Sequence, residues 1–477
     1  MKNLSGLAAL IALLVLLAGC ATNPVTGRSQ FTLVSPQQEL AIGKDGYPAV
    51  LAEYGAYDDA RLAATVDSVG QRLAAVSHLP NLDWHFTLLD DPTVNAFAMP
   101  GGYIYVTRGI LAHLNSEAQL AGVLGHEIGH VTARHTAEQI TKQQIAGLGL
   151  GIASAVSGTV QKYSGAAQQA LGLLFLKYSR DNETQADELG VEYATKAGYD
   201  PREIPSTYAM LRRIGEQSGK GIPSFMSTHP DPGDREARTT ALAKTAAAGK
   251  NGLLIKSRVY VQRLDGVVFG NDPQQGWFDG THFVHPQLAF ELTFPAGWQT
   301  QNSRASVAAG APDQSGVIQL TVVDAKDASP VQYVQQLALD KKIASFEGQR
   351  ETIGGFASWT GHISVLKNDG TTGTLVAAFI RDNTRMFQVL GQSTGSEALL
   401  FETIRSFRAV TERARLDVKP ARVKIVTVAR PGTFTDVVAG FGPQEIAIDP
   451  ESILNNLDPG ESVAQGTLLK LVPKVPR

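Results

Sequence analysis

The sequence predicts an α+β protein: a mainly helical domain with a small β-sheet, then a β-rich or α+β domain, then a small β-α module. Three observations carry this. Capped segments with helical apolar spacing fill the first half, as in Leu62, Val66, Val69, Leu73 and Val76 on one face. Beyond Gly249 to Gly252 the apolar period falls to two, as in Leu288, Phe290, Leu292 and Phe294. The length, 477 residues, exceeds one typical domain. Hydrophobic residues at 43% and charged residues at 18% are globular proportions, and a formal net charge of −3 gives no reason to expect nucleic acid as a partner. The single cysteine, Cys20, excludes an internal disulfide.

Met1-Lys2-Asn3 supplies a positive start, Leu7 to Leu17 an apolar run, and Leu17-Ala18-Gly19-Cys20 a small-residue end, so residues 1–20 read as a secretory signal, too short to span a membrane. Residues 21–34 read as a tether. Ser35-Pro36 opens the first helix of a domain over 35–250, and Asp58 is read as the cap of the second. Trp84 to Leu89 reads as a strand, and Phe97 to Thr107 as a hairpin around Pro100-Gly101-Gly102. Ser116-Glu117-Ala118-Gln119 has the form of a capping box, so a helix carrying Leu120, Val123, Leu124, Ile128 and Val131 starts there. Residues 144–176, rich in Gly, Ala and Leu but interrupted by Gln161, Lys162, Gln168 and Gln169, read as packed helices rather than a membrane hairpin. A helix from Asn182 to Lys196 stops before Gly198, Pro201 starts another, and 221–233 reads as loop. Residues 256–410 form the second domain, with Val317, Ile318, Leu320, Val322, Val376, Phe379, Phe387 and Val389 in strands. A charged linker at 411–422 leads into a final module over 418–475.

His126-Glu127-Ile128-Gly129-His130 carries the chemistry. Residues four apart share a helix face, so both imidazoles can bind one ion, while Glu127 reaches a water at the metal but not the metal itself. Two imidazoles and a carboxylate suit Zn2+, one per chain. Zinc lowers the pKa of a water towards about 7, and a nearby carboxylate takes its proton as attack begins. A third protein ligand is required. The stretch from Asn182 to Asp187 offers Glu183 as that ligand, with Asp187 one turn later to fix the tautomer of a ligand histidine. It can equally be an ordinary solvated acidic helix start.

These motifs together resemble the HtpX-like and prenyl-protein-endopeptidase family of gluzincin zinc metalloproteases. The resemblance rests on Asn95 to Gly102 as a strand signature, His126, Glu127 and His130, Arg180 to Glu183 with Ala186-Asp187, and Thr228-His229-Pro230 with Arg235 beyond. It covers about residues 35–245. It implies Glu183 as the third ligand and Asn95, Ala96 and Phe97 as the cleft rim that pairs with an extended substrate. It places His229 near the zinc, either closing the fourth position or stabilising the oxyanion, and Arg235 as an anchor of that loop. Leu17 to Cys20 resemble a lipobox, which implies lipid modification at Cys20, and Ala21 after it implies the outer membrane, facing the periplasm. The soluble envelope branch implies unfolded or misassembled envelope proteins, including β-barrels, as substrates. Val426 to Thr433, Ile453-Leu454-Asn455, Pro459-Gly460 and Leu468 to Val472 resemble a degenerate LysM module and hence peptidoglycan as a further partner; the usual Gly-Asp-Thr is altered here to Pro-Gly-Thr-Phe. The competing reading is a chaperone-like or scaffold protein with a structural or latched zinc, in which Glu127 has no role.

Overall fold

Residues 20–149, 171–174, 176–217, 225, 228–229, 232–366 and 371–475 are described in a computed structural model of the chain. The signal-type segment 1–19 and most of the stretch 144–176 lie outside them. Among the described residues no helix is long and apolar enough to cross a membrane.

Ser35 caps α1 (Pro36–Tyr54) with a complete capping box: its hydroxyl accepts from Gln38 N–H and the Gln38 side chain returns to the Ser35 N–H. α2 (Ala60–Ala74) is capped by Asp59, not Asp58. The Asp59 carboxylate accepts from the amides of Arg61 and Leu62 at 3.0 Å, and only a residue in the cap position faces those open N–H groups. β1 (His85–Leu89) runs parallel to β3 (Tyr103–Thr107), and β2 (Ala96–Met99) antiparallel to it, which leaves β2 at the sheet edge. The hairpin turn needs glycine: Gly101 and Gly102 have φ of 83° and 93°, and a Cβ on Gly101 would stand 2.8 Å from the Glu39 carbonyl.

α3 (Glu117–Thr132) is buried along its whole length, so it is the central rod of the domain. Ser116 caps it through Gln119 N–H, but the Gln119 side chain accepts from Asn115 N–H, so the box is offset by one residue. The chain reverses at Arg134, whose φ of 61° is left-handed. Its buried guanidinium holds Glu39 (Nε at 2.7 Å) and the Val34 carbonyl (2.9 Å), which pins the reversal to the start of α1. α4 (His135–Gly149) follows, then α5 (Arg180–Lys196), a 3₁₀ turn at Pro201–Glu203, α6 (Ile204–Gln217) and α7 (Pro232–Ala247). Residues 21–34, read from the sequence as a tether, lie against this domain: Cys20–Thr22 pairs with Ser29–Phe31, and Asn23 donates to Ala133 O at 3.0 Å.

In the second domain seven antiparallel strands form one sheet: β4 (Gln299–Asn302), β5 (Ser306–Gly310), β6 (Gly316–Asp324), β7 (Ser345–Ile353), β8 (Phe356–Leu366), β9 (Thr372–Asp382) and β10 (Arg385–Ser393), in the order β7-β8-β9-β10-β6-β5-β4. The period of two is visible in β9. Val376, Ala378 and Ile380 join the core under Leu400 and Ile404 of helix Glu397–Arg405, while Ala377 and Phe379 join the core under Val334 of helix Pro330–Leu339. Val317 is out of phase with Ile318 and Leu320 and is half exposed, because adjacent strand residues point to opposite faces. A small sheet of Trp277–Asp279, His282–His285, Phe290–Thr293 and Arg408–Ala409 completes the core.

The tail places strands Lys424–Thr427 and Leu468–Leu471 around helices Phe434–Ala439 and Ile448–Leu454. It shares the core of the first domain through Val423, Ile453, Leu454 and Val472. The buried Lys470 Nζ donates to the carbonyls of Ala112 and Leu114 at 2.8 and 2.9 Å, closing the C-terminus of the short helix Arg108–His113. Lys470→Met leaves both buried carbonyls without a donor and should lower stability by about 1–3 kcal/mol, read by denaturant unfolding of the full chain. An unchanged midpoint would show that the plug contributes nothing.

Candidate active site

The close approach of α3 and α5 builds the site. The helices meet at small residues: a Cβ on Gly125 would lie 3.1 Å from Gly190 O, one on Gly129 would lie 3.2 Å from Ala186 Cα, and one on Gly190 would lie 3.0 Å from His126 N. With the backbones this near, Glu183 on the first turn of α5 reaches the histidine face of α3. His126, His130, Glu183 and His229 are all buried, and one donor atom from each lies within 4.8 Å of the others. His126 Nε2 is 2.9 Å from His130 Nε2, 3.3 Å from His229 Nδ1 and 3.5 Å from Glu183 Oε2; Glu183 Oε1 is 3.0 Å from His229 Nδ1 and 3.5 Å from His130 Nε2. Ligands at about 2.0–2.1 Å around a tetrahedral ion would be about 3.4 Å apart, so the donor set fits one zinc-sized cation.

The outer nitrogens fix the tautomers. His126 Nδ1 is 3.0 Å from Asp187 Oδ1, which accepts a hydrogen bond from Nδ1–H and so turns the Nε2 lone pair inward. The sequence reading did not find the matching partner of His130. His135 Nε2 donates to Gln185 Oε1 at 3.0 Å, which leaves His135 Nδ1 to accept from His130 Nδ1–H at 2.9 Å. His135 is five residues from His130, off its helical face, and only the left-handed break at Arg134 brings it back. Asp187 is further held by Tyr208 (2.7 Å), Arg238 (2.6 Å) and Arg235 (2.7 Å). Arg235, expected to anchor its loop, also forms an ion pair with Glu183 at 2.7 Å. Burial pushes the Glu183 carboxyl up, but His229 and Arg235 outweigh it and bring it down to about 2. Asp187→Asn and His135→Ala should each weaken metal affinity about 10–100-fold, read by competition with a chromogenic chelator. Unchanged affinity would reduce these residues to packing.

Glu127 lies next to this cluster, fully buried, with neither carboxylate oxygen hydrogen-bonded; His229 Nε2 stands 3.8 Å from its Oε1. Burial raises its pKa, against the pull of His229 and His126. His229 is held by its own N–H on Phe225 O at 2.8 Å and by stacking on the Phe225 ring at 4.5 Å. Asn95, Ala96 and Phe97 lie where β2 begins, with Phe97 stacked on Tyr105 at 5.0 Å. Cys20 starts the ribbon strand Cys20–Thr22, away from these residues in sequence.

Residues 60–243 match the sequence profile of Peptidase family M48. That segment is similar to Peptidase family M48. The chain is 38% identical over 172 residues to mitochondrial metalloendopeptidase OMA1 of Arabidopsis thaliana, covering 36% of this chain and 33% of that protein. It is 35% identical over 215 residues to the protein of the same name from Schizosaccharomyces pombe, covering 43% and 61%. It is 29% identical over 226 residues to the beta-barrel assembly-enhancing protease of Escherichia coli, covering 45% and 46%. In each case the match spans less than two thirds of the relative's own length. The M48 match and these relatives support a metalloendopeptidase. The solution structure of cyanobacterial PsbP from Synechocystis is similar at a TM-score of 0.22 and 11% identity, covering 28% of this chain and 94% of that one, and carries no argument.

Proposed function

We propose that the chain is a zinc-dependent endopeptidase that hydrolyses peptide bonds of misfolded or unfolded envelope proteins, held by lipid on Cys20 at the periplasmic face of a bacterial outer membrane. Glu127 carries the catalytic part. A buried carboxylate with no hydrogen bond is costly and does no structural work, so its place beside four metal-binding donors is that of a general base. His126, His130 and Glu183 would hold the zinc, which when bound lowers the pKa of a water towards about 7. Glu127 takes the proton from the attacking water and delivers it to the leaving amine nitrogen. Asp187 and His135 keep the imidazole lone pairs inward throughout. His229 would complete the donor set around the zinc, and a substrate carbonyl would need it to withdraw.

The envelope substrate class draws its support from the relative whose name records β-barrel assembly, and the lipid anchor from Leu17 to Cys20. The reading is tested by purifying a form that begins after Cys20, counting zinc, and following cleavage of an unfolded protein with and without chelator. Zinc near one per chain and chelator-sensitive cleavage are expected; full activity without metal would overturn it. Because the base must be ionised, kcat/KM should fall towards acid pH. A kcat/KM with no acid limb would remove Glu127 from that role.

A further inference from the structure

A cavity of about 770 Å³ opens between the first domain and the second domain, beside the metal-binding cluster rather than on it. Its first-domain wall includes Asn95 and Phe97 at β2 and Thr228, the chain neighbour of His229. Its opposite wall includes Thr300, Gln301 and Asn302, three of the four residues of β4. Among the described residues β2 is an edge strand of its sheet, and β4 is an edge strand of the seven-stranded sheet, pairing only with β5. The exposed edge of β4 therefore faces Asn95, at the head of the buried strand β2, across one cavity that leads to the His229 loop. An open edge presents N–H and C=O groups that an extended chain can satisfy, which is how strand addition captures polypeptide. Walls of strand edges and charged side chains also differ from the apolar enclosure of small-molecule sites.

We propose that β4 is a second docking edge of the substrate groove. An extended, unfolded polypeptide pairs its main chain with β4 and runs past Asn95 and Thr228 towards the metal-binding cluster. The inference rests on the peptidase reading for its direction but not for its binding. The groove also sets a charge preference. Of its four carboxylates, Asp90 holds both lining guanidiniums, Arg108 at 2.8 Å and Arg304 at 3.7 Å, which leaves Glu53, Asp91 and Asp272 without a lining cation. A segment bearing lysine is preferred there over one bearing glutamate.

The test uses the full chain after Cys20 carrying Glu127→Gln, so that binding is read without turnover. The probes are two fluorescein-labelled threonine/valine peptides that differ in carrying lysines or glutamates, followed by anisotropy. Thr300 and Gln301 are exposed, so Thr300→Trp and Gln301→Trp fill the groove without touching a core. Each should weaken the lysine peptide about tenfold or more, and Gln301→Lys should reverse the preference between the two peptides. Unchanged affinity in all three variants, or no binding by the parent, overturns the docking edge even where the wild type cleaves protein. Weakened binding in the variants alongside a wild type that cleaves nothing keeps the groove and removes the peptidase.

Discussion

Glu127→Gln abolishes cleavage of an unfolded protein, a loss of about 10²–10⁴-fold or more, while zinc content and fold are retained. The substitution preserves shape and removes only the ability to hold a proton. In the folded chain neither Glu127 oxygen has a hydrogen bond to lose, so nothing structural fails with it. The sign on stability is also fixed. A buried carboxyl whose pKa is raised opposes folding once the pH exceeds the unfolded value, and a neutral amide removes that penalty. With the metal removed from both, the variant should therefore melt no lower than wild type at neutral pH. A scaffold with a structural zinc predicts a different result, because its metal site needs no acid and the variant would behave as wild type in every assay. Activity, zinc content and melting temperature measured on the same preparation separate the two: lost activity with zinc and melting intact leaves only the catalytic reading, and unchanged chelator-sensitive activity would remove Glu127 from the mechanism.

The parts of this site that were legible in the sequence are those governed by local geometry. His126 and His130 stand one helical turn apart, and Glu127 follows from the same pentapeptide. Glu183 was different: an acidic residue in the first turn of a helix has an ordinary explanation, and only the likeness of several separate motifs singled it out. The structure supplies the missing link in Gly125, Gly129 and Gly190, whose absent side chains let two helices approach closely enough for Glu183 to reach the histidines. His135 and the double grip of Arg235 on Glu183 and Asp187 were not legible at all, since each depends on a chain reversal or on α7 folding back over α5. The same holds on a larger scale. Strand periodicity in the second domain was visible, but the lodging of Lys470 under the helix Arg108–His113, and the shared border of β2 and β4, are tertiary facts with no periodic trace.

His229→Ala decides what the fourth donor does. In the structure its Nδ1 is 3.0 Å from Glu183 and 3.3 Å from His126, and the side chain is 1% exposed, so it stands among the other three donors. A site closed by four protein donors is inert until one leaves. If the closed form outweighs the open one by about a hundred to one, removing the imidazole should raise cleavage by up to about 100-fold. Zinc affinity should fall in the same variant, because one of four donors is gone, and the two changes in opposite directions are the signature of a latch. A histidine that instead donates to the oxyanion predicts a loss of about 10²–10³-fold in kcat. The resting position is held by His229 N–H on Phe225 O at 2.8 Å, by Tyr178 N–H on Thr228 O at 3.3 Å, and by the Phe225 and Tyr178 rings at 4.5 and 5.5 Å. Phe225→Ala should then reproduce part of the activation by loosening that segment without altering any donor, an effect that an oxyanion role cannot produce.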